Sequence, residues 1–253
     1  MHLRLIALAL LVGILESSAI ASVPLYDATS LAKPDQAPFA WGLQGGGATV
    51  TGPAAGSVYS VLDSSATVLA QEGWLRLSPV ALNNVAGYDV TFDLGIEQES
   101  HNSANRAGLS VIILDSDHRG VELSFWANQI WNQNDSPLFT HGEGAAYDTT
   151  AAGTGVGGLR HYQVHVSNNA YTFSAEGSTL FGGAIRDYSA FAGSPNPYST
   201  PNFLWVGDDT TEASAKSRFS YFNLTAAVPE PATLTVAFVG LAAFRRRRNL
   251  RKH

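Results

Sequence analysis

The chain of 253 residues has no cysteine, one methionine, and charged side chains at only 14% of its positions. Without cysteine there can be no disulfide framework, thiolate zinc site or cysteine nucleophile. A hydrophobic content of 45% places it outside the disordered regime. Serine-hydrolase, Walker-A and zincin patterns are all missing. The small amount of charge is also unevenly distributed, since six of the fifteen basic residues crowd the last nine positions. Residues 22 to 228 hold eight basic and nineteen acidic side chains, a net of −11 against −6 for the whole chain. A body that acidic repels phosphate backbones, so nucleic acid is excluded as a partner.

The two ends read as addresses. His2 and Arg4, the apolar stretch Leu5 to Leu15, and Ala19-Ile20-Ala21 make a secretory signal peptide over residues 1–21, with signal peptidase expected to cut after Ala21. At the other end, residues 227–253 hold Pro229-Glu230-Pro231, an apolar run from Ala232 to Phe244, and the cluster Arg245, Arg246, Arg247 and Arg248. Thirteen residues of helix span roughly 20 Å, short of the ~30 Å hydrocarbon core, so the run lodges in a membrane without spanning it comfortably. The arginines keep their end cytoplasmic and the body outside. This three-part order resembles the PEP-CTERM sorting signal of Gram-negative bacteria. The resemblance implies an exosortase-type membrane protease as partner, a cut near Pro229-Glu230-Pro231, and delivery of the body to the cell surface or extracellular polysaccharide. A plain C-terminal inner-membrane anchor is the alternative.

Residues 22–226 read as one all-β domain. Tyr88, Val90, Phe92, Leu94 and Ile96 alternate with Asp89, Thr91, Asp93 and Gly95, the period of a half-buried strand. Val121 to Trp126 and His161 to Val166 alternate likewise, and the nearly unbroken apolar run Leu109 to Leu114 predicts a central strand covered on both faces. Ser167-Asn168-Asn169-Ala170 and Glu176-Gly177-Ser178 predict tight turns. Further strands are expected at Leu75 to Val80, Phe203 to Gly207 and Phe219 to Thr225. Ten to twelve such strands indicate a two-sheet antiparallel β-sandwich or jelly roll, with an apolar helix at each end of the precursor. Ser100 to Arg106, which is polar, and Asp135 to Gly158, which is polar and Gly-rich, are expected to be ligand-facing loops or simple disorder.

The strand, turn and strand from Tyr162 to Phe181 resemble the meander of laminin-G and concanavalin-A-like lectin sandwiches. Glu99-Ser100-His101, Arg106-Ala107-Gly108, Gly120-Val121-Glu122-Leu123 with Phe125-Trp126, and Gly207-Asp208-Asp209-Thr210 resemble stretches in the bodies of other PEP-CTERM proteins, a likeness that brings no activity with it.

Candidate chemistry falls into two groups. Trp126, Asn128 and Trp131, with Glu122 on the same strand face as Trp126, combine stacking surfaces with polar groups and are candidates for binding carbohydrate. Glu97, Glu99 and His101 alternate to one side of an extended chain. The adjacent carboxylates Asp208 and Asp209 end a strand, and both sets are candidates for holding Ca2+. Asp115 to Gly120 superficially follows a calcium loop, but Trp126 stands where the twelfth-position Glu is needed, and a hairpin turn is the better reading. Asn223-Leu224-Thr225 fits a glycosylation acceptor by accident. No catalytic residue is assigned and no cofactor is required. The expected function is a secreted, non-catalytic binding or structural module of the cell surface or extracellular matrix, with polysaccharide as a candidate ligand. The alternative is a glycan-active hydrolase or lyase using Glu122 with Glu143, or the Asp208 and Asp209 pair.

Overall fold

The computed structural model describes residues 19–66 and 70–228. The signal-peptide core, the apolar run after Pro231 and both expected terminal helices lie outside the described residues, and no described helix is long and apolar enough to cross a membrane.

Sixteen strands form two antiparallel sheets. In chain order they begin with β1 (Ala19–Asp27), β2 (Gly42–Gly46), β3 (Thr49–Thr51), β4 (Ser60–Asp63) and β5 (Gln71–Leu77). Next come β6 (Tyr88–His101), β7 (Ser110–Leu114), β8 (Arg119–Phe125), β9 (Gln129–Asp135) and β10 (Leu138–Ala146). The last six are β11 (Arg160–Ser167), β12 (Ala170–Ala175), β13 (Ser178–Ala184), β14 (Arg186–Asp187), β15 (Phe203–Asp208) and β16 (Ala213–Val228). One sheet runs β13-β12-β11-β6-β16-β4-β3 with β1 against β16, and the other runs β10-β9-β8-β7-β15-β5-β2 with β14 against β8. The expected cut after Ala21 falls inside β1.

Period-2 alternation directs one row of each strand inward. Val90, Phe92 and Leu94 from β6 and Val164 from β11 meet Val111, Ile113, Leu123 and Phe125 across the sandwich, all fully buried. Phe92 stacks on Tyr162 at 5.5 Å and on Phe222 at 5.8 Å, while Phe125 meets Phe92 edge-on at 6.3 Å. Each such side chain contributes about 1.5–3 kcal/mol by leaving water. β7 is buried at all five positions, because its sheet carries apolar cover on its outer face as well. At the β11-β12 hairpin, Asn168 and Asn169 adopt φ of 51° and 61°, the left-handed pair that a two-residue turn requires. Asp115 accepts from the N–H groups of Asp117 and Arg119 and closes the β7-β8 hairpin, so this segment is a turn.

Two expectations about strand positions fail. The strand expected at Leu75 to Val80 runs over Gln71–Leu77 and stops before Ser78. Asp135 to Gly158 is not a single loop, because β10 occupies Leu138–Ala146 and pairs with β9. Its glycines are close-approach positions rather than loop markers. A Cβ on Gly142 would lie 2.6 Å from the Asn132 carbonyl oxygen, and one on Gly144 would lie 2.6 Å from that of Ile130. Only the segment after β10 crosses the outer face of the first sheet. There Asp93, 2% exposed, accepts from Val156 N at 2.7 Å and pairs with His161 Nδ1 at 2.6 Å. The Asn223 acceptor is also accidental in structure, since it lies within β16 opposite Thr91 and is 9% exposed.

The Asp93 carboxylate raises the His161 pKa above its ordinary value, against the effect of partial burial. A histidine whose folded pKa exceeds its unfolded one stabilises fully below the unfolded value of about 6.5 and loses that contribution as pH rises through the folded value. We therefore expect His161→Gln to lose up to ~1 kcal/mol in urea melts at pH 5.5 and to converge on the parent at pH 9.

Candidate functional site

The functional site lies on the outer face of the second sheet. Glu122, Ser124 and Ser110 project there, opposite in phase to the core residues Val121, Leu123 and Val111. Two elements cover this face. β10 brings Phe139, and a flap between β14 and β15 brings Phe191 and, through short 3-10 turns at Tyr188–Ala190 and Pro197–Ser199, two buried tyrosines. Tyr188 donates from its hydroxyl to the Gln133 carbonyl at 2.8 Å, and Tyr198 donates to Glu122 Oε2. Phe139 packs on Phe191 at 5.5 Å, and Phe191 on Tyr198 at 5.4 Å. The flap is thereby fastened at both ends, leaving Phe191 as a wall.

Beneath this cover lies a buried charge cluster. Arg106 reaches Glu122 Oε1 and Asp209 Oδ2, each at 3.4 Å, and its guanidinium lies over the Phe139 ring at 4.9 Å. Burial opposes the arginine's charge, but Asp209 and Glu122 more than offset this and hold its proton harder than usual. Glu122 is fully buried, and its pKa is pushed up to about 8, first by burial and then by the Asp209 charge, with Arg106 pulling the other way. Burial and the neighbouring Asp209 thus favour the protonated form of Glu122, and Arg106 opposes them. Asp209 Oδ1 also accepts from Ser110 Oγ at 3.1 Å.

A cleft of about 450 Å3 opens above the cluster. Ser103, Asn105 and Arg106 line it from the loop after β6, Phe139 and Thr140 from β10, and Phe191 from the flap. Gln71, Asp209, Thr210, Thr211 and Glu212 close the remaining side. Asn105 is held in place because its Oδ1 accepts from His141 N at 3.1 Å and its carbonyl accepts from Gln133 Nε2 at 2.8 Å. Two aromatic rings beside amide, hydroxyl and carboxylate groups make an amphipathic surface that stacks and hydrogen-bonds at once.

The residues expected from sequence are placed differently from one another. Trp131 is 0% exposed with His141 against it at 3.9 Å, so it fills the interior and offers no face to a ligand. Glu122 is sealed beneath the flap. Trp126 is half-buried, with one face covered by His101 at 3.8 Å and its Nε1 donating to the Arg106 carbonyl at 2.9 Å. Asn128 is exposed and does not line the cleft. Arg106, Asn105, Phe139 and Phe191 do line it; Asn105 and Arg106 belong to the stretch Ser100 to Arg106, whereas Phe139 and Phe191 carry no site signal in the sequence.

The five metal candidates are not brought together. Glu97 pairs with Lys216 at 2.7 Å and also with Arg218. Glu99 accepts from His101 Nδ1 at 2.6 Å. Asp209 pairs with Arg106, and Asp208 is buried, its pKa pushed up to about 8 chiefly by that burial. Among the described residues no group of three or more His, Asp or Glu side chains could hold a metal ion. A calcium site needs six to eight converging oxygens, which these residues do not supply.

Comparison with known proteins separates the tail from the body. Residues 227–249 match the PEP-CTERM protein-sorting motif, so the chain carries that sorting signal and is an exported protein. No curated protein matches the chain. The body is similar in fold to the conserved carbohydrate esterase from Shiga toxin-encoding bacteriophage phi24B, at 14% identity and a TM-score of 0.55, over 82% of this chain and 100% of that one. It is similar to a protein of unknown function from Shewanella oneidensis MR-1, at 13% identity and a TM-score of 0.50, over 85% and 90% of the two chains. The VIP36 exoplasmic/lumenal domain in its Ca2+/Man3GlcNAc-bound form aligns at 12% identity and a TM-score of 0.50, over 82% and 90%. At these identities the likeness is one of fold.

Proposed function

We propose that this exported chain is a non-catalytic surface module whose sandwich binds a glycan in the cleft between Asn105 and Phe191. The observation that carries the reading is the composition of that cleft: aromatic walls from Phe139 and Phe191 against a polar side from Asn105, Gln71 and Thr211. Sugars present apolar ring faces and a rim of hydroxyls, and this arrangement meets both. Lectin-like and carbohydrate-active relatives in fold are consistent with it. A hydrolase or lyase reading would need a carboxyl pair open to substrate. Glu122 and Asp208 are buried, so neither Glu122 with Glu143 nor Asp208 with Asp209 offers two open carboxyls; Asp209 lines the cleft beside Glu212.

A glycan array probed with the full chain tests the reading. Phe191→Ala is expected to weaken binding of any hit about tenfold, the ~1.4 kcal/mol of one stacking face. Unchanged affinity would remove Phe191 from the site.

The sorting signal adds a second expectation, that an exosortase-type protease cuts near Pro229-Glu230-Pro231 and leaves the body at the cell surface or in the matrix. Intact-mass spectrometry of surface material from the native host should find the arginine cluster missing. Persistence of residues 232–253 in all of that material would indicate a retained anchor instead.

A further inference from the structure

We propose that the cleft takes an uncharged saccharide and rejects uronate and sulfate polymers, an inference that rests on the glycan-binding reading and narrows its ligand class. Acidic polysaccharides are recognised by arginine or lysine groups that are free to meet carboxylate or sulfate. The cleft is lined by one cation, Arg106, and two anions, Asp209 and Glu212. Arg106 is already committed to Glu122 and Asp209, and Phe139 covers its guanidinium face. Its side chain is 13% exposed, so a ligand carboxylate would have to displace a buried protein carboxylate to reach it.

The rest of the body offers no substitute. Lys216 and Arg218 share Glu97, and Arg186 is held by Glu143. Arg76 donates to the carbonyls of Leu25 and Phe39, Lys33 pairs with Asp35, Arg119 donates to Asn169, and Arg160 lies over Tyr147. All eight basic side chains of residues 22–228 therefore have partners, within a net charge of −11. A polyanion entering the cleft meets Asp209 and Glu212 and no cation that is free of a protein carboxylate. A neutral sugar meets the aromatic walls and the hydroxyl and amide side chains without that cost.

The test compares neutral polymers (dextran, galactan and mannan) with polygalacturonate and alginate, titrated into the full chain with chelator present so that calcium cannot bridge acidic groups. The expected result is saturable binding of a neutral polymer that changes less than about twofold between 50 and 500 mM salt. Thr211→Trp should abolish it, since Thr211 is an exposed rim residue and the bulk fills the cleft without removing a buried group. Binding of an acidic polymer that falls steeply with salt and is lost in Thr211→Trp overturns the inference and leaves the glycan reading standing, since polyanion binding to the basic tail would survive that substitution. Neutral binding that survives Thr211→Trp also overturns it, by placing the ligand elsewhere. Binding of neither class overturns the glycan reading itself.

Discussion

Replacing Arg106 with alanine is expected to destabilise the chain by about 3 kcal/mol, the range for breaking a buried ion pair by removing one partner. The substitution strips Glu122 and Asp209 of their shared cation and leaves the face of Phe139 bare. The upward shift of Glu122 moderates the loss, because a carboxyl that favours its neutral form depends less on the cation. For a domain of this size the thermal midpoint should fall by roughly 6–12 °C. Lys33→Ala, which removes a part-exposed pair with Asp35 at 3.6 Å, should change stability by no more than ~0.5 kcal/mol and serves as the comparison. A small effect at Arg106 would mean that the cluster does not hold the flap and the loop after β6 together.

Glu122→Gln should reverse the usual sense of a buried substitution at alkaline pH. Glu122 keeps its proton to about pH 8 in the folded chain, whereas an unfolded glutamate releases it near 4.5. Between those values the native state binds one proton more than the unfolded state, so this group's contribution to stability falls as pH rises through the window and is flat outside it. Asp208, also raised to about 8, acts in the same direction and is untouched by the change. Glutamine mimics the protonated form and stays neutral throughout. Variant and parent should therefore be close at pH 5, with the variant gaining on the order of 2 kcal/mol relative to the parent by pH 9 in chemical denaturation. A uniform loss at both pH values would show instead that Glu122 is ionised against Arg106 at neutral pH.

What the sequence made legible, and what it did not, follows from the range of the interactions. The strands over Tyr88 to Ile96 and His161 to Val166 are visible because each is covered on one face and solvated on the other, which writes the period into neighbouring residues. The Asn168-Asn169 turn is legible for the same local reason. β10 is not, because Gly142 and Gly144 are chosen for the approach of β9 and leave no side-chain pattern. Glu122 was correctly phased away from Val121 and Leu123, and hence off the core face. That face is nonetheless dry, because a flap from Tyr188 to Ser199 covers it, and the flap's sequence has neither helical nor strand period. Arg106 meets Glu122 sixteen residues away and Asp209 just past the end of β15, and no local spacing predicts such a cluster. Trp126 and Trp131 look equivalent in sequence, and only the packing of His141 and His101 separates an interior ring from a half-exposed one.

The central claim is that the ligand is held by the outer face of the second sheet, in the cleft walled by Phe139 and Phe191. Hydrogen–deuterium exchange on the full chain, with and without the saccharide selected by the array, tests it most directly. The account predicts added protection in 103–106, 138–141, 189–193 and 209–212, with the outer face of the first sheet unchanged. Protection confined to the strands carrying Asp89, Asp93, His161 and His165 would place the site on the opposite face and contradict the account.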